Sequence, residues 1–293
     1  MIAFQLEGVY LSVYQHCLFY LVLTLVASLG SIIRGCLMLL LKFARSDTNT
    51  SMLIKEEVRK VVSKGKAAGV LRLVFHDAGT FEMDGNSGGM NGSIVYELER
   101  PENAGLKKSL KACTQFSTKQ RVKWMQYNKI FPLLVSWADM IAVAGAEAVS
   151  VCGGPTIPVQ LGRLDSLEPD AEGKLPPESL DAPGLKQNFK RKGLSTQELV
   201  VLSGAHTLGS KGFGSPFVFD NSYYKILLEK PWKSSGGMSS MIGLPSDHAL
   251  VEDDECLRFA IFKDLSIKAC YLLSLVCVVS LLCKAVLSCT LDE

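Results

Sequence analysis

Apolar residues are distributed along this chain in three different ways. From Val9 to Leu41 they are almost continuous, with no acidic residue between Glu7 and Asp47. Cys17 to Ile33 has about the length of a membrane span, Leu37 to Leu41 adds a second apolar block, and Arg34, Lys42 and Arg45 follow. From about Leu53 to Arg258 the apolar positions recur at helical spacing instead. Ile54 to Ala68, with its Lys and Glu residues, predicts an amphipathic helix, and Val70 to Thr80 predicts the next. Trp137 to Ser150 reads as an Ala-rich helix. Thr196 to Leu208 reads as another, opened by Ser195 with Glu198 in a capping pattern and stopped at Gly209. Gly153-Gly154-Pro155 and Pro176-Pro177 mark connections rather than phosphate loops. Few stretches alternate with period two, so the fold class is mainly α. Beyond Phe259 the pattern changes again: Ala269 to Cys289 is apolar with Lys284 as its one charge.

Three segments follow from this pattern: an apolar N-terminal segment at 1–50, a soluble domain at 51–258 and an atypical apolar segment at 259–293. The first reads as a signal anchor, an uncleaved secretory signal, an organelle-targeting element or translated intronic sequence. The last reads as a tail anchor or as retained intron. Membrane association, where either anchor reading holds, would run through residues 9–41 or 269–289.

Composition narrows the class. The chain has 293 residues, 48% of them hydrophobic, enough for a sizeable core. Its net charge of +2 gives no basic field of the kind nucleic acid requires. The cysteines are Cys17, Cys36, Cys113, Cys152, Cys256, Cys270, Cys277, Cys283 and Cys289. An odd count without a C-x-x-C pair describes free thiols in a reducing compartment rather than a disulfide framework or a zinc site.

The candidate chemistry lies in two histidine motifs. Leu71-Arg72-Leu73-Val74-Phe75-His76-Asp77-Ala78-Gly79-Thr80 places Arg72 and His76 one helical turn apart on one face. An imidazole that moves a proton beside a cation that holds developing negative charge suits cleavage of a peroxide bond. Leu202-Ser203-Gly204-Ala205-His206-Thr207-Leu208-Gly209 offers an imidazole able to ligate haem iron.

With Ser87-Gly88-Gly89-Met90-Asn91-Gly92-Ser93-Ile94, Val135-Ser136-Trp137-Ala138-Asp139-Met140, Phe219-Asp220-Asn221-Ser222-Tyr223-Tyr224 and Leu244-Pro245-Ser246-Asp247-His248-Ala249-Leu250, these motifs occur in a specific order. From about Leu53 to about Arg258 the chain resembles the plant haem peroxidases of the intracellular, ascorbate-peroxidase-like class. The resemblance implies a haem peroxidase fold, with one noncovalent haem b between a distal and a proximal helix. It implies hydrogen peroxide and a small-molecule electron donor as partners, a role in oxidative stress, and an intracellular place, in chloroplast or cytosol. It further implies His76 as acid–base, Arg72 as charge stabiliser, Asn103 as the residue that orients His76, His206 as axial iron ligand and Asp247 as its partner. Phe75 stands where close members carry tryptophan, Thr207 joins the cofactor side, and a monovalent cation is expected near that proximal side.

Other features depart from the resemblance. No Trp lies between His206 and Phe219, where Phe213 or Phe217 would fill the space. The same short loop lacks the ascorbate-binding arginine, although Lys64 aligns with the assisting lysine. Trp232 and His248 read as surface residues, and Asp247 reads also as a helix N-cap. Cys113 to Leu134 is longer than the family's link, and the tail beyond Arg258 lacks its charged helix. A haem-binding or regulatory protein without turnover is the competing expectation.

Overall fold

The computed structural model describes residues 54–113, 136–229, 231–232 and 241–264. The chain divides into two units, Met1–Met52 and Leu53–Glu293, and the described residues belong to the second. The apolar stretches 9–41 and 269–289, and most of the 113–134 stretch, lie outside the described residues.

The described architecture is helical. Its elements are α1 (54–61), α2 (Lys64–Ala78), α3 (106–113), α4 (Trp137–Val151), α5 (Ala182–Arg191), α6 (Thr196–Ser203), α7 (Ser222–Leu228), α8 (Pro245–Glu252) and α9 (Asp254–Asp264). Short 3₁₀ turns stand at Ser93–Tyr96, Pro101–Asn103 and Gly204–Thr207. Among the described residues no strand is formed, and an isolated antiparallel bridge joins Glu82 and Ser87. The mainly α expectation therefore holds.

Two helix boundaries differ from those the periodicity predicts. Ile54 to Ala68 is not one helix: α1 closes with Val62 N–H on Val58 O, Ser63 is extended, and α2 starts at Lys64. The β-branched Val61 and Val62 lower helix propensity at the break, and Ser63 takes the extended N-cap position of α2 without a side-chain capping bond. The second boundary is at Ser203. The helix opened by Ser195 and Glu198, a complete capping box, is α-helical only to that residue and then tightens into the Gly204–Thr207 turn. Gly204 lets Tyr224 approach the turn, since a Cβ there would lie 2.3 Å from the Tyr224 hydroxyl. Gly209 stops the segment as expected, at φ 101°.

Two hydrophobic clusters organise the described residues. The first joins Ile54 and Val58 of α1, Leu73 of α2, Leu106 of α3 and Ile141 of α4. Its axis is the packing of α2 along α4, made close by Gly145, where a Cβ would stand 2.5 Å from Val74. The alanines of α4 let this helix bury almost its whole surface. The second cluster joins Leu185 and Phe189 of α5, Leu199 and Val200 of α6, Tyr223 and Tyr224 of α7, Leu250 of α8, and Cys256 and Ala260 of α9. Regular helix thus continues past position 258, and Phe259 and Ala260 pack into this cluster. Phe75, on α2, packs against the second cluster, whereas Leu208, just past His206, packs into the first. Both histidine motifs consequently lie where the two clusters meet.

Candidate active site

On the α2 side, His76 is buried and its Nδ1 lies 2.6 Å from Asn103 Oδ1. The Asn103 amide has its orientation fixed, because Nδ2 donates to Glu97 O at 2.9 Å. Oδ1 must then accept, so His76 carries its proton on Nδ1 and presents a lone pair at Nε2. Burial holds the His76 imidazole below the ordinary histidine range; the Asn103 bond opposes this and the Arg72 charge adds to it. Arg72 is exposed, and its guanidinium donates to Ala104 O at 2.7 Å and Glu102 O at 2.6 Å, the carbonyls on either side of Asn103. Phe75 meets the His76 ring edge-on at 6.0 Å.

Asp77 does not extend an exposed charged face with Arg72 and His76. It is fully buried and accepts from Gly92 N–H at 3.1 Å and Ile94 N–H at 3.3 Å, which anchors the end of α2 to the Ser93–Tyr96 turn. Burial pushes its carboxyl up to about 8 against the pull of those two N–H groups.

On the other side, His206 sits in the Gly204–Thr207 turn with 40% of its side chain exposed. Its Nδ1 lies 2.8 Å from Asp247 Oδ1, which leaves Nε2 without that claim on it. Asp247 is buried at 2% exposure and takes two further donors, the Tyr223 hydroxyl at 2.9 Å and Leu244 N–H at 2.8 Å. Burial alone would raise the Asp247 carboxyl, but His206, Leu244 and Tyr223 together hold it below the ordinary range. Burial first, and then the Asp247 charge, raise the Tyr223 phenol well above its ordinary value, so it stays a donor. Thr207 Oγ1 donates to Asp220 Oδ1 at 2.9 Å, and Ser222 N–H donates to the same oxygen.

Several expectations need correction here. Asp247 is not the N-cap of α8; Leu244 occupies that position and Asp247 stands three residues in, where its carboxylate reaches back to the Leu244 N–H. His248 is no surface residue: it is 8% exposed, stacks on Trp232 at 4.0 Å and 3°, and pairs through Nε2 with Ile242 O at 2.7 Å. Trp232 is likewise half-buried and donates from Nε1 to Leu227 O. Of the two phenylalanines expected to fill the short loop, Phe213 is buried against Tyr223 at 4.7 Å, whereas Phe217 is 48% exposed. The sequence offered no signal for Glu97. It held Tyr223 in a recognised motif without indicating a role for it.

A sequence model of the family described as peroxidase matches residues 54–261. The chain belongs to the peroxidase family. Its fold is the mainly α haem peroxidase fold, and membership implies haem as cofactor. In Arabidopsis thaliana, a protein named "Putative L-ascorbate peroxidase 6" is 73% identical over 207 residues, covering 71% of this chain and 60% of that protein. The chain therefore spans about three fifths of that relative. "L-ascorbate peroxidase 2, cytosolic" of the same plant is 36% identical over 230 residues, covering 70% of this chain and 84% of that protein. "L-ascorbate peroxidase 3" is 37% identical over 217 residues, covering 70% and 69% respectively. Among the described residues no helix is long and apolar enough to cross a membrane.

Proposed function

We propose that this chain reduces hydrogen peroxide with a small organic reductant, as a haem enzyme acting in the response to oxidative stress. The observation that carries the reading is the pairing of two imidazoles whose Nδ1 atoms are both engaged, one by Asn103 and one by Asp247. Each is left with Nε2 for chemistry. An imidazole backed by a buried carboxylate is the donor type that ferric haem takes, so the residues fit the group. Haem b, held noncovalently through His206 Nε2, would supply the iron at which the peroxide bond is cleaved. His76 Nε2 accepts the proton of one peroxide oxygen and delivers it to the other, so that this oxygen leaves as water. Arg72 keeps unused N–H donors beyond its two carbonyl bonds, and these hold negative charge on the leaving oxygen. Asp247 makes His206 the more basic ligand.

The two remaining electrons come from the reductant. Ascorbate is the donor in the names of the relatives, and Lys211 is the basic residue of the short loop between His206 and Phe219. The Thr207 hydroxyl and the Asp220 carboxylate, hydrogen-bonded to each other at 2.9 Å, would hold a monovalent cation on the proximal side. The free thiols of Cys113, Cys152 and Cys256, together with a relative named as cytosolic, support an intracellular setting.

The test is the visible spectrum of the haem-loaded chain before and after one equivalent of hydrogen peroxide. The expected result is a Soret band that shifts at once in the wild type and roughly 10²–10⁴-fold more slowly in His76→Ala. Haem uptake without any reaction would establish the competing view of a binding protein without turnover.

A further inference from the structure

We infer that Tyr223 is a positioning residue for the proximal pair, its hydroxyl setting how strongly Asp247 draws on the His206 N–H. The inference rests on the proposed function and goes beyond it. The Tyr223 hydroxyl and His206 Nδ1 converge on one oxygen, Asp247 Oδ1, at 2.9 Å and 2.8 Å. Leu244 N–H holds the other oxygen at 2.8 Å. A donor on a carboxylate stabilises its negative charge and makes it less basic, so it pulls less on any other donor sharing that oxygen. With Tyr223 in place, His206 keeps more of its proton and acquires less imidazolate character. The push on a bound iron is correspondingly moderated.

The phenol is held where it must be for this role. Its ring lies edge-on to His206 at 6.1 Å, to Phe213 at 4.7 Å and to Tyr224 at 5.0 Å. Tyr224 is itself fixed by its hydroxyl bond to Val200 O at 3.1 Å. Tyr223 is 0% exposed, so no water competes for the hydroxyl. No indole N–H is available from the loop between His206 and Phe219, which contains no Trp.

The experiment uses the haem-loaded full chain in three forms: wild type, Tyr223→Phe, and a chain with 3-fluorotyrosine introduced at position 223. Two quantities are read, the iron–histidine stretching frequency of the ferrous protein and the ferric–ferrous reduction potential. Loss of the donor in Tyr223→Phe is expected to raise the frequency and lower the potential. The fluorinated phenol, a stronger donor of nearly the same shape, is expected to move both in the opposite direction. A purely structural tyrosine would not produce this change of sign. Equal values in all three forms, or shifts of one sign in both variants, would overturn the inference. If Tyr223→Phe fails to fold, the fluorinated chain decides alone. A wild type whose iron–histidine band is absent, or survives in His206→Ala, overturns the proposed ligand and this inference together. A His206-ligated haem indifferent to the phenol overturns the inference only.

Discussion

His76 Nδ1 and Asn103 Oδ1 stand 2.6 Å apart and buried, although 27 residues separate them in the chain. The link depends on Glu97, whose carbonyl takes the Asn103 amide N–H and so points the amide oxygen at the imidazole. Replacing Asn103 by Ala frees the ring to exchange tautomers and leaves the Glu97 carbonyl without its partner. The expected outcome is a peroxide reaction slowed about 10–100-fold, the scale for losing a partner that orients a metal-ligating histidine, carried over to an acid–base one. Stopped-flow mixing of haem-loaded protein with peroxide measures it. An unchanged rate would remove Asn103 from the machinery.

The same site has a predictable pH profile. His76 works as a base only when neutral, and burial, joined by the Arg72 charge, lowers its pKa from the ordinary 6.5. The peroxide reaction should therefore be flat at neutral pH and fall along a one-proton limb that begins below 6.5. Arg72→Gln removes one cause of the depression and should move that limb to higher pH. Stability follows the same sign. The unfolded chain binds the histidine proton first as pH falls below 6.5, so acid favours unfolding through that window. Rate–pH profiles of the two proteins decide the matter, and a limb that moves to lower pH in Arg72→Gln would contradict it.

The sequence made some of this site legible and left other parts hidden, for physical reasons. Arg72 and His76 could be paired from their spacing because a helix brings i and i+4 together whatever surrounds it. Asn103 and Asp247 were reachable only through resemblance, since long-range packing of the Pro101–Asn103 turn and of α8 brings them to the histidines. The stack of Trp232 on His248 was missed because the turn around Ile242 and Gly243 brings the two rings together, and no period encodes that. Tyr223 was missed for a related reason. Its apolar ring marks it as core, and only the fold shows that the hydroxyl at its tip reaches a buried carboxylate. The break at Val62–Ser63 was hidden because amphipathic spacing continues across it.

Arg72 offers a separate test. Its two carbonyl bonds, to Glu102 and Ala104, use the planar fork of the guanidinium and tie α2 to the turn that carries Asn103. Arg72→Leu should slow the peroxide reaction by about 10²–10³-fold, the scale for losing a donor to developing negative charge. Arg72→Lys keeps the charge but not the fork, and should fall between wild type and Arg72→Leu. Haem uptake, followed by the Soret band, should be the same in all three. Wild-type rates in Arg72→Lys would show that charge alone matters and that the carbonyl bonds position nothing.

The packing of α9 can be probed at Asp253, between α8 and α9. Its Oδ1 accepts the N–H groups of Glu255 at 3.1 Å and Cys256 at 3.0 Å, which caps α9. Lys186 of α5 binds the same carboxylate at 2.7 Å. The Lys186 bond, and then the Cys256 N–H, lower the Asp253 carboxyl to about 2. Because α9 buries Cys256 and Ala260 against the cluster that also holds α6 and α7, a loosened α9 should weaken the half of the protein that carries His206. Asp253→Ala is expected to cost about 1 kcal/mol, the usual scale for a lost N-cap, read as a lower urea midpoint with an unchanged slope. The folded carboxyl titrates below the unfolded one, so its contribution is present above 3.8 and disappears as pH falls through about 2. Wild type and Asp253→Ala should thus differ at neutral pH and converge in strong acid. A difference that persists unchanged at pH 2 would mean that the cap works without its charge.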